Sequence, residues 1–221
     1  MKKYLLILII VISFPPIVKA EEINFNTGIS YNNFVYKLTE NGNNKDYVMR
    51  EDLNSGWGYY GESVFWPNKD WGVGVGLDVA KATWDGTNHY SDGDTREFEY
   101  SSKLIGPYTT IKYKLNKSLI VNLDLVYYNY KEHFRADYSW DKETFEQDFV
   151  TGAGLGIKLG TEFNYKLNDS FYLKGKSYFR KVGLDLKEEY DDVEERMIDI
   201  KTDKNLNITG LQVALGIVYT F

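Results

Sequence analysis

Apolar side chains alternate with small or polar ones along most of this chain, and the last segment shows the pattern most simply. From Leu211 to Phe221 every odd position is apolar or aromatic, whereas the even positions from 210 to 220 read Gly, Gln, Ala, Gly, Val and Thr. A period of two places successive side chains on opposite faces of a β-strand. The segment is therefore predicted to be a strand with two unlike faces, ending on an aromatic residue.

The same alternation occurs in seven earlier segments, so the sequence predicts eight strands. Their approximate bounds are 23–35, 56–66, 71–84, 98–113, 119–130, 149–165, 171–186 and 210–221. The sixth is the clearest, because glycines at 152, 154, 156 and 160 alternate with mostly bulky apolar residues. The second fits either register, and the fourth is irregular around Gly106-Pro107, which indicates a bulge or bend.

The connections between the predicted strands are alternately long and short. The short ones are four-residue turns at 67–70, 115–118 and 167–170, and the segments Tyr113–Leu119 and Tyr165–Phe171 that contain two of them are nearly the same. The long ones are polar stretches at 39–55, 85–97, 135–147 and 187–204. Since successive strands run in opposite directions, the short turns are predicted to lie at one end of the sheet and the long connections at the other.

The first twenty residues have the pattern of an export signal. Lys2 and Lys3 precede an apolar run from Tyr4 to Phe14, and Val18-Lys19-Ala20 provides a small residue for cleavage. This pattern predicts a secretory signal peptide cleaved after Ala20 and a single domain at residues 21–221. The alternative is a retained anchor helix, but the run is shorter than the ~20 apolar residues that span a bilayer.

Charge and cysteine content exclude several classes of protein. Removing residues 1–20 removes three lysines and no acid, which takes the net charge from −6 to −9, so nucleic-acid binding is not expected. The chain has no cysteine, so neither disulfides nor thiol chemistry is expected. No long apolar segment follows Ala20, so helical membrane spans are not expected either.

The final strand, with Phe221 at its end and Tyr219 two residues earlier, resembles the C-terminal strand that the outer-membrane assembly machinery recognises. The whole predicted pattern is similar to small eight-stranded outer-membrane proteins of the OmpX/OmpW/Opa-like group. The resemblance implies an all-β fold, an eight-stranded antiparallel up-and-down transmembrane β-barrel in the cell outer membrane. It also implies that Tyr219 and Phe221 form the assembly signal.

The same resemblance implies the molecules that the protein meets. They are outer-membrane lipids and lipopolysaccharide, the barrel assembly machinery, and a host or neighbouring-cell surface. The expected state is a monomer, and no cofactor is expected.

Two orientations of the barrel are consistent with the alternation. One places the apolar face in lipid; the inverse is a soluble barrel of lipocalin type with an apolar interior. Glycines along the polar face favour the first, because a narrow lumen is crowded. Aromatic residues near the short turns also favour it, since they would form an interfacial belt: Trp66, Trp71, Tyr113, Tyr165, Phe171, Tyr219 and Phe221.

Charged residues on the polar face are predicted to pair inside the lumen, because an isolated buried charge is very costly. These are Asp78, Asp124, Lys158, Glu162, Lys174, Lys176 and Arg180. If Tyr165 lies opposite Phe171, Glu162 meets Lys174; if Tyr165 lies opposite Leu173, Glu162 meets Lys176. Either register gives a salt bridge and a plugged lumen, and a merely solvated lumen stays as the alternative.

Few residues suggest catalytic or metal chemistry. His89 and His133 are interpreted as surface residues in polar connections, since neither has a catalytic neighbour in sequence. Asp92-Gly93-Asp94 is interpreted as a turn because the rest of a calcium loop is missing. The acidic stretch 187–204 is interpreted as a solvated face, with cation bridging to lipopolysaccharide phosphates or cell contact as alternatives. Val193, Met197, Ile198 and Ile200 within it also indicate strands that extend above the membrane and an edge for partner binding.

Three functions follow as hypotheses. The first is a non-enzymatic role in surface interaction, adhesion or envelope integrity through the long connections. The second is a narrow channel for small or apolar solutes. The third is a lipid or protein hydrolase at the outer rim, which would use His89 or His133.

Overall fold

The strands of this chain follow the alternation in its sequence and extend beyond it. The structure, a computed structural model, describes residues 22–40, 43–45, 53–89, 94–138, 144–191, 196–199 and 204–221. Within them lie eleven strands: β1 (Glu22–Asn33), β2 (Val35–Glu40), β3 (Asn43–Lys45), β4 (Ser55–Trp66), β5 (Trp71–His89), β6 (Thr95–Lys114), β7 (Leu119–Tyr138), β8 (Thr144–Lys166), β9 (Phe171–Asp191), β10 (Arg196–Asp199) and β11 (Lys204–Thr220). The predicted signal peptide lies outside the described residues.

Eight long strands close into a ring. From β4 to β9 each strand pairs antiparallel with the next, β9 pairs with β11, and β1 pairs with both β11 and β4. Strand pairing is interrupted at Phe34, and the chain continues as β2, which pairs with the other half of β11. β3 and β10 extend the hairpins of β2 and β9. The predicted eight-stranded antiparallel up-and-down barrel is confirmed.

Strand pairing fixes which side chains face the lumen. Around the ring, even-numbered residues pair with even-numbered ones, except beyond two bulges, at Glu132/His133 and at Thr151/Gly152. From the short turns up to these bulges, even-numbered side chains therefore point inward on all eight strands. Leu215 is 54% exposed on the outside, whereas Lys158 is 2% exposed on the inside. The alternative orientation, a soluble barrel of lipocalin type with an apolar interior, is therefore wrong.

Three of the predicted long connections are in fact largely strand. The predicted loop 85–97 is a hairpin in which Asp85 pairs with Glu99 and His89 with Thr95, and 135–147 is also mostly strand. β9 likewise continues to Asp191 and pairs with β10. The prediction of connections from polarity was wrong here, because a strand whose outer face is exposed to water needs no apolar residues on that face.

The three short turns are stabilised by the same side-chain hydrogen bonds. In each, an asparagine side chain accepts hydrogen bonds from the backbone N–H groups two and three residues later, at 2.8–3.0 Å. The asparagines are Asn68, Asn116 and Asn168. Asparagine is favoured in turns for this reason. The repeated sequence therefore marks a repeated turn structure.

Buried apolar residues occupy both ends of the lumen. Near the short turns, Val64, Trp66 and Ile120 form a small cluster. Toward the other end a larger cluster includes Phe34, Leu104, Val126, Val182 and Ile208. The buried charged residues lie between the two clusters, except Glu132, which lies beside Tyr100 of the larger cluster. No helix in the described part of the chain is long and apolar enough to cross a bilayer.

Candidate functional site

Nine of the ten buried charged residues form two groups at successive levels of the lumen; the tenth, Glu132, lies apart from them and accepts a hydrogen bond from Tyr100 OH at 2.7 Å. We call the group nearer the short turns the lower layer; it comprises Glu62, Lys112, Glu162, Lys174 and Lys176. The upper layer comprises Asp78, Asp124, Lys158 and Arg180. All nine residues are at most 5% exposed.

Strand register brings together the residues within each layer. Tyr165 pairs with Leu173, so Glu162 lies opposite Lys176 on the next strand. In the upper layer Lys158 lies between Asp124 on one side and Arg180 on the other. Of the two registers that the sequence allows, the structure has the second.

The lower layer is a compact cluster of two carboxylates and three ammonium groups. Lys112 Nζ lies 2.5 Å from Oε1 of both Glu62 and Glu162. Lys174 Nζ is 2.7 Å from Glu162 Oε2, and Lys176 Nζ is 2.8 Å from Glu62 Oε1 and 3.4 Å from Glu162 Oε1. Each carboxylate therefore has at least two cations within 4 Å.

Neutral donors complete the coordination of these carboxylates. Asn26 Nδ2 donates to Glu62 at 2.7 Å, Tyr108 OH donates to Glu62 at 2.9 Å, and Tyr178 OH donates to Glu162 at 3.0 Å. Lys176 Nζ also lies 4.0 Å from the centre of the Tyr60 ring. Such additional bonds are what allow a buried ion pair to offset its desolvation cost.

Asp78 is the centre of the upper layer. Tyr128 OH donates to it at 2.5 Å, Arg180 Nη2 at 2.9 Å and Gln212 Nε2 at 3.1 Å. Lys158 Nζ lies 3.6 Å from Asp78 and 3.4 Å from Asp124. The carboxylates compensate the positive charges of Lys158 and Arg180, which are direct partners on the neighbouring strands β8 and β9.

All seven residues that the sequence placed in the lumen lie there, but Glu62, Lys112 and Glu132 were missed. Glu132 lies beyond residue 130, the predicted end of the fifth strand. Glu62 is on β4, whose two registers looked alike, and Lys112 is on β6, which looked irregular around Gly106-Pro107. Residue parity is the signal that could have identified Glu62 and Lys112. Even-numbered residues face inward on the clear strands, and a four-residue turn keeps the same parity on the next strand, which applies to β4 and β6.

The prediction that Trp66 belongs to the interfacial aromatic belt is wrong. It is 1% exposed and faces the lumen, where Lys114 Nζ lies 3.9 Å from the centre of its ring. Trp71, Tyr165 and Phe221 are at least half exposed on the outside. Tyr219 packs between Phe171 and Phe221, with ring centres 5.0 and 4.5 Å apart.

The outer wall has an uncharged band, which we call the belt. On every ring strand the outward side chains are apolar, aromatic or small over nine consecutive residues: 23–31, 57–65, 71–79, 105–113, 119–127, 155–163, 171–179 and 211–219. This length matches the ~9–11 residues of a membrane-spanning β-strand. We call the strand segments that continue beyond the belt, away from the short turns, the outer extension.

The two histidines lie on strands of the outer extension and not in loops. His89 is exposed at the end of β5. His133 Nδ1 lies 2.9 Å from Asp148 Oδ1, and Lys131 Nζ lies 2.6 Å from the other oxygen of Asp148. Burial acts to raise the pKa of Asp148, but the hydrogen bonds from Lys131 and His133 outweigh it and lower that pKa below its usual range. The bulge that creates this contact left no local pattern in the sequence.

Two further predictions concern the connections. Asp92 and Gly93, two of the three residues in the predicted turn, lie outside the described residues, as does much of the acidic stretch 187–204. Among the residues that the structure describes, no group of three or more histidines and acids is arranged to hold a metal ion.

The closed ring, the uncharged belt and the buried charges define this chain as an eight-stranded transmembrane β-barrel. It is similar to the crystal structure of Ail, the attachment invasion locus protein of Yersinia pestis, with 15% identity over 92% of this chain and all of that chain, at a TM-score of 0.41. It is also similar to the outer membrane protein OprG from Pseudomonas aeruginosa, with 11% identity over 92% of this chain and 97% of that chain, at 0.45. The outer membrane protease OmpT from Escherichia coli gives 11% identity over 90% and 97%, at 0.45.

No family model matches the sequence, and no curated protein sequence is significantly similar to it. At these identities the structural likeness is one of fold. The chemistry of this chain is therefore argued from its own residues.

Proposed function

We propose that the exported chain is a monomer in the bacterial outer membrane and acts, without enzymatic activity, in surface interaction or envelope integrity through its outer extension. The observation that carries this proposal is the burial of charged and apolar side chains along the lumen. The two charged layers are buried, and apolar clusters fill the space on either side of them. A barrel filled in this way leaves its outer surfaces as the parts that meet other molecules.

The length of the outer extension supports a role outside the membrane. β5 continues for ten residues beyond the belt, from Ala80 to His89, which is roughly 33 Å along the strand. β6, β7 and β8 extend with it as paired strands. The paired hairpins present a polar outer face that a partner could contact without local folding.

Conductance tests whether the lumen is closed. We expect the wild-type barrel in planar bilayers to show no steady large conductance, because opening it would require the buried ion pairs of both layers to separate. Steady large currents from pure, folded protein would contradict the closed lumen.

Trimmed hairpins test the surface role. Asp85 and Glu99 are direct partners, so a two-residue Asn-Gly turn joining Asp85 to Glu99 would remove the end of the β5–β6 hairpin and leave the belt intact. We expect cells with the trimmed protein to lose adhesion or envelope resistance while the barrel still folds. If both properties persist after the β5–β6 and β7–β8 hairpins are trimmed and β9 and β11 are shortened to the belt, the outer extension does not carry the function.

A second candidate, passage of small apolar solutes, is favoured by an aromatic cluster in the outer extension. Trp84 and Phe98 have ring centres 5.0 Å apart, and Phe134 packs on Phe145 at 6.2 Å and on Phe149 at 5.7 Å. Trp84 is 40% and Phe145 39% exposed, so an apolar molecule could reach both. Uptake of such a solute into proteoliposomes, lost in Trp84→Ala, would favour the channel over the closed barrel.

A further inference from the structure

Three lysines lie side by side on the outer wall of the barrel. Lys81 on β5 is the direct partner of Lys103 on β6, and Lys103 is the direct partner of Lys131 on β7. All three carry odd numbers, point outward and are exposed. We call them the lysine row.

The fold only partly compensates these charges. Side chains directly opposite on neighbouring strands are about 5 Å apart at Cβ, and like charges at that spacing are destabilising. Lys81 pairs with Glu99 at 2.9 Å and Lys131 with Asp148 at 2.6 Å. Lys103, in the middle, forms no ion pair with any residue that the structure describes. Within the described part of the chain, the row therefore has a cation at its centre that no acid neutralises.

The position of the row determines what can reach it. Lys81 is the next outward residue after Val79, and Lys103 is the next after Ile105, both at the end of the belt. Lys131 follows Tyr127 with only Asn129 between. A molecule that neutralises the row while lying against the barrel wall must have an anionic group directly next to a long apolar part.

Residues farther from the belt disfavour an anion arriving from solution. Asp85 pairs with Glu99 and Glu97 with Asp137, and these acids line a cavity of about 340 Å³ on the outer face. Arg135 is the cation that lines it with them. A free anion would pass this acidic surface, whereas a lipid phosphate arrives from the membrane side.

We propose that the lysine row binds the phosphate of an anionic lipid whose acyl chains lie against the belt next to it. The proposal rests on the membrane location proposed above. The ligand is a phosphorylated lipid of the leaflet that borders the outer extension.

The test compares a triple variant with a matched control. In Lys81→Gln/Lys103→Gln/Lys131→Gln the row is neutral but keeps its long side chains. In Lys181→Gln the lost lysine is also the next outward residue after the belt, but its strand partners are Ile157 and Thr209. Binding of phosphatidic acid and of phosphatidylcholine to each folded barrel in neutral detergent is measured by native mass spectrometry.

We expect the wild type to prefer phosphatidic acid and the triple variant to lose about fivefold of that preference per lysine, as each basic residue near an anionic surface contributes about that factor. Lys181→Gln should lose no more than about fivefold. Equal preference in the triple variant and the wild type would overturn the proposal, and so would inorganic phosphate competing as well as phosphatidic acid does. A barrel that stays dissolved without detergent would instead contradict the membrane location.

Discussion

At the scale of single residues, Glu62 has the most demanding position in the molecule. It is fully buried, and its carboxylate accepts from Asn26, Tyr108, Lys112 and Lys176. These partners come from three different strands, β1, β6 and β9. One side chain therefore links distant parts of the ring, and its removal leaves cations without compensation.

Glu62→Ala should destabilise the barrel by about 3–5 kcal/mol, the usual cost of removing one partner of a buried ion pair. The measurement is the free energy of unfolding in urea, with the protein in lipid vesicles. Glu22→Ala is the control, because Glu22 pairs with Lys114 at 3.2 Å in a partly exposed position, where a salt bridge contributes about 0–1 kcal/mol. Similar losses in both variants would show that the lower layer is not tightly coupled.

Glycines on the inner face make room for the tyrosines that hold the carboxylates. A Cβ added at Gly76 would lie 2.6 Å from the hydroxyl of Tyr108, the group that donates to Glu62. Gly76→Ala should therefore destabilise the barrel by about 1–3 kcal/mol, as overpacking does. Gly175 faces outward with nothing within 4 Å of an added Cβ, so Gly175→Ala should be tolerated in the same unfolding assay. The reverse order would contradict the assigned faces.

At the scale of elements, the inner faces of the clear strands and the pairing of Glu162 with a lysine of β9 could be predicted, whereas contacts that depend on closure of the ring could not. Clear strands such as β8 separate glycine and charge from bulk by parity, so their inner residues are evident in the sequence. β4 has aromatic residues at both parities, with Trp57 and Tyr59 outside and Tyr60 and Trp66 inside, so local periodicity could not orient it. The link between Lys176 and Glu62 spans 114 residues, and it depends on closure of the ring, which no local pattern encodes.

The turns offer a test at this scale. The side chain of Asn116 accepts from the backbone N–H of Ser118 at 2.9 Å and of Leu119 at 3.0 Å. Asn116→Ala should cost about 1 kcal/mol of stability, because the turn loses these bonds. Lys117→Ala, in the same turn, should leave the urea midpoint unchanged. If the two variants behave alike, the asparagine bonds do not stabilise the turn.

At the scale of the whole molecule, the structure has two ends and two walls that differ chemically. The belt separates short asparagine-stabilised turns from the long polar outer extension, and an apolar outer wall encloses a charged interior. In an outer membrane this asymmetry predicts that the outer extension faces the outside of the cell and the short turns face the periplasm. The lysine row would then border the outer leaflet.

Cysteine labelling in intact cells tests this arrangement directly, because the chain has no cysteine of its own. Thr87→Cys, on the outer extension, should react with a polyethylene-glycol maleimide too large for outer-membrane pores, whereas Lys117→Cys should react only after the outer membrane is permeabilised. Leu215→Cys, which is 54% exposed on the belt in the wild type, should react only with a lipid-soluble maleimide. Ala214→Cys, its buried neighbour, should react with neither until the barrel is unfolded. Labelling of Lys117→Cys but not Thr87→Cys in intact cells would reverse the orientation, and labelling of Leu215→Cys by the large reagent would mean that the belt does not lie in lipid.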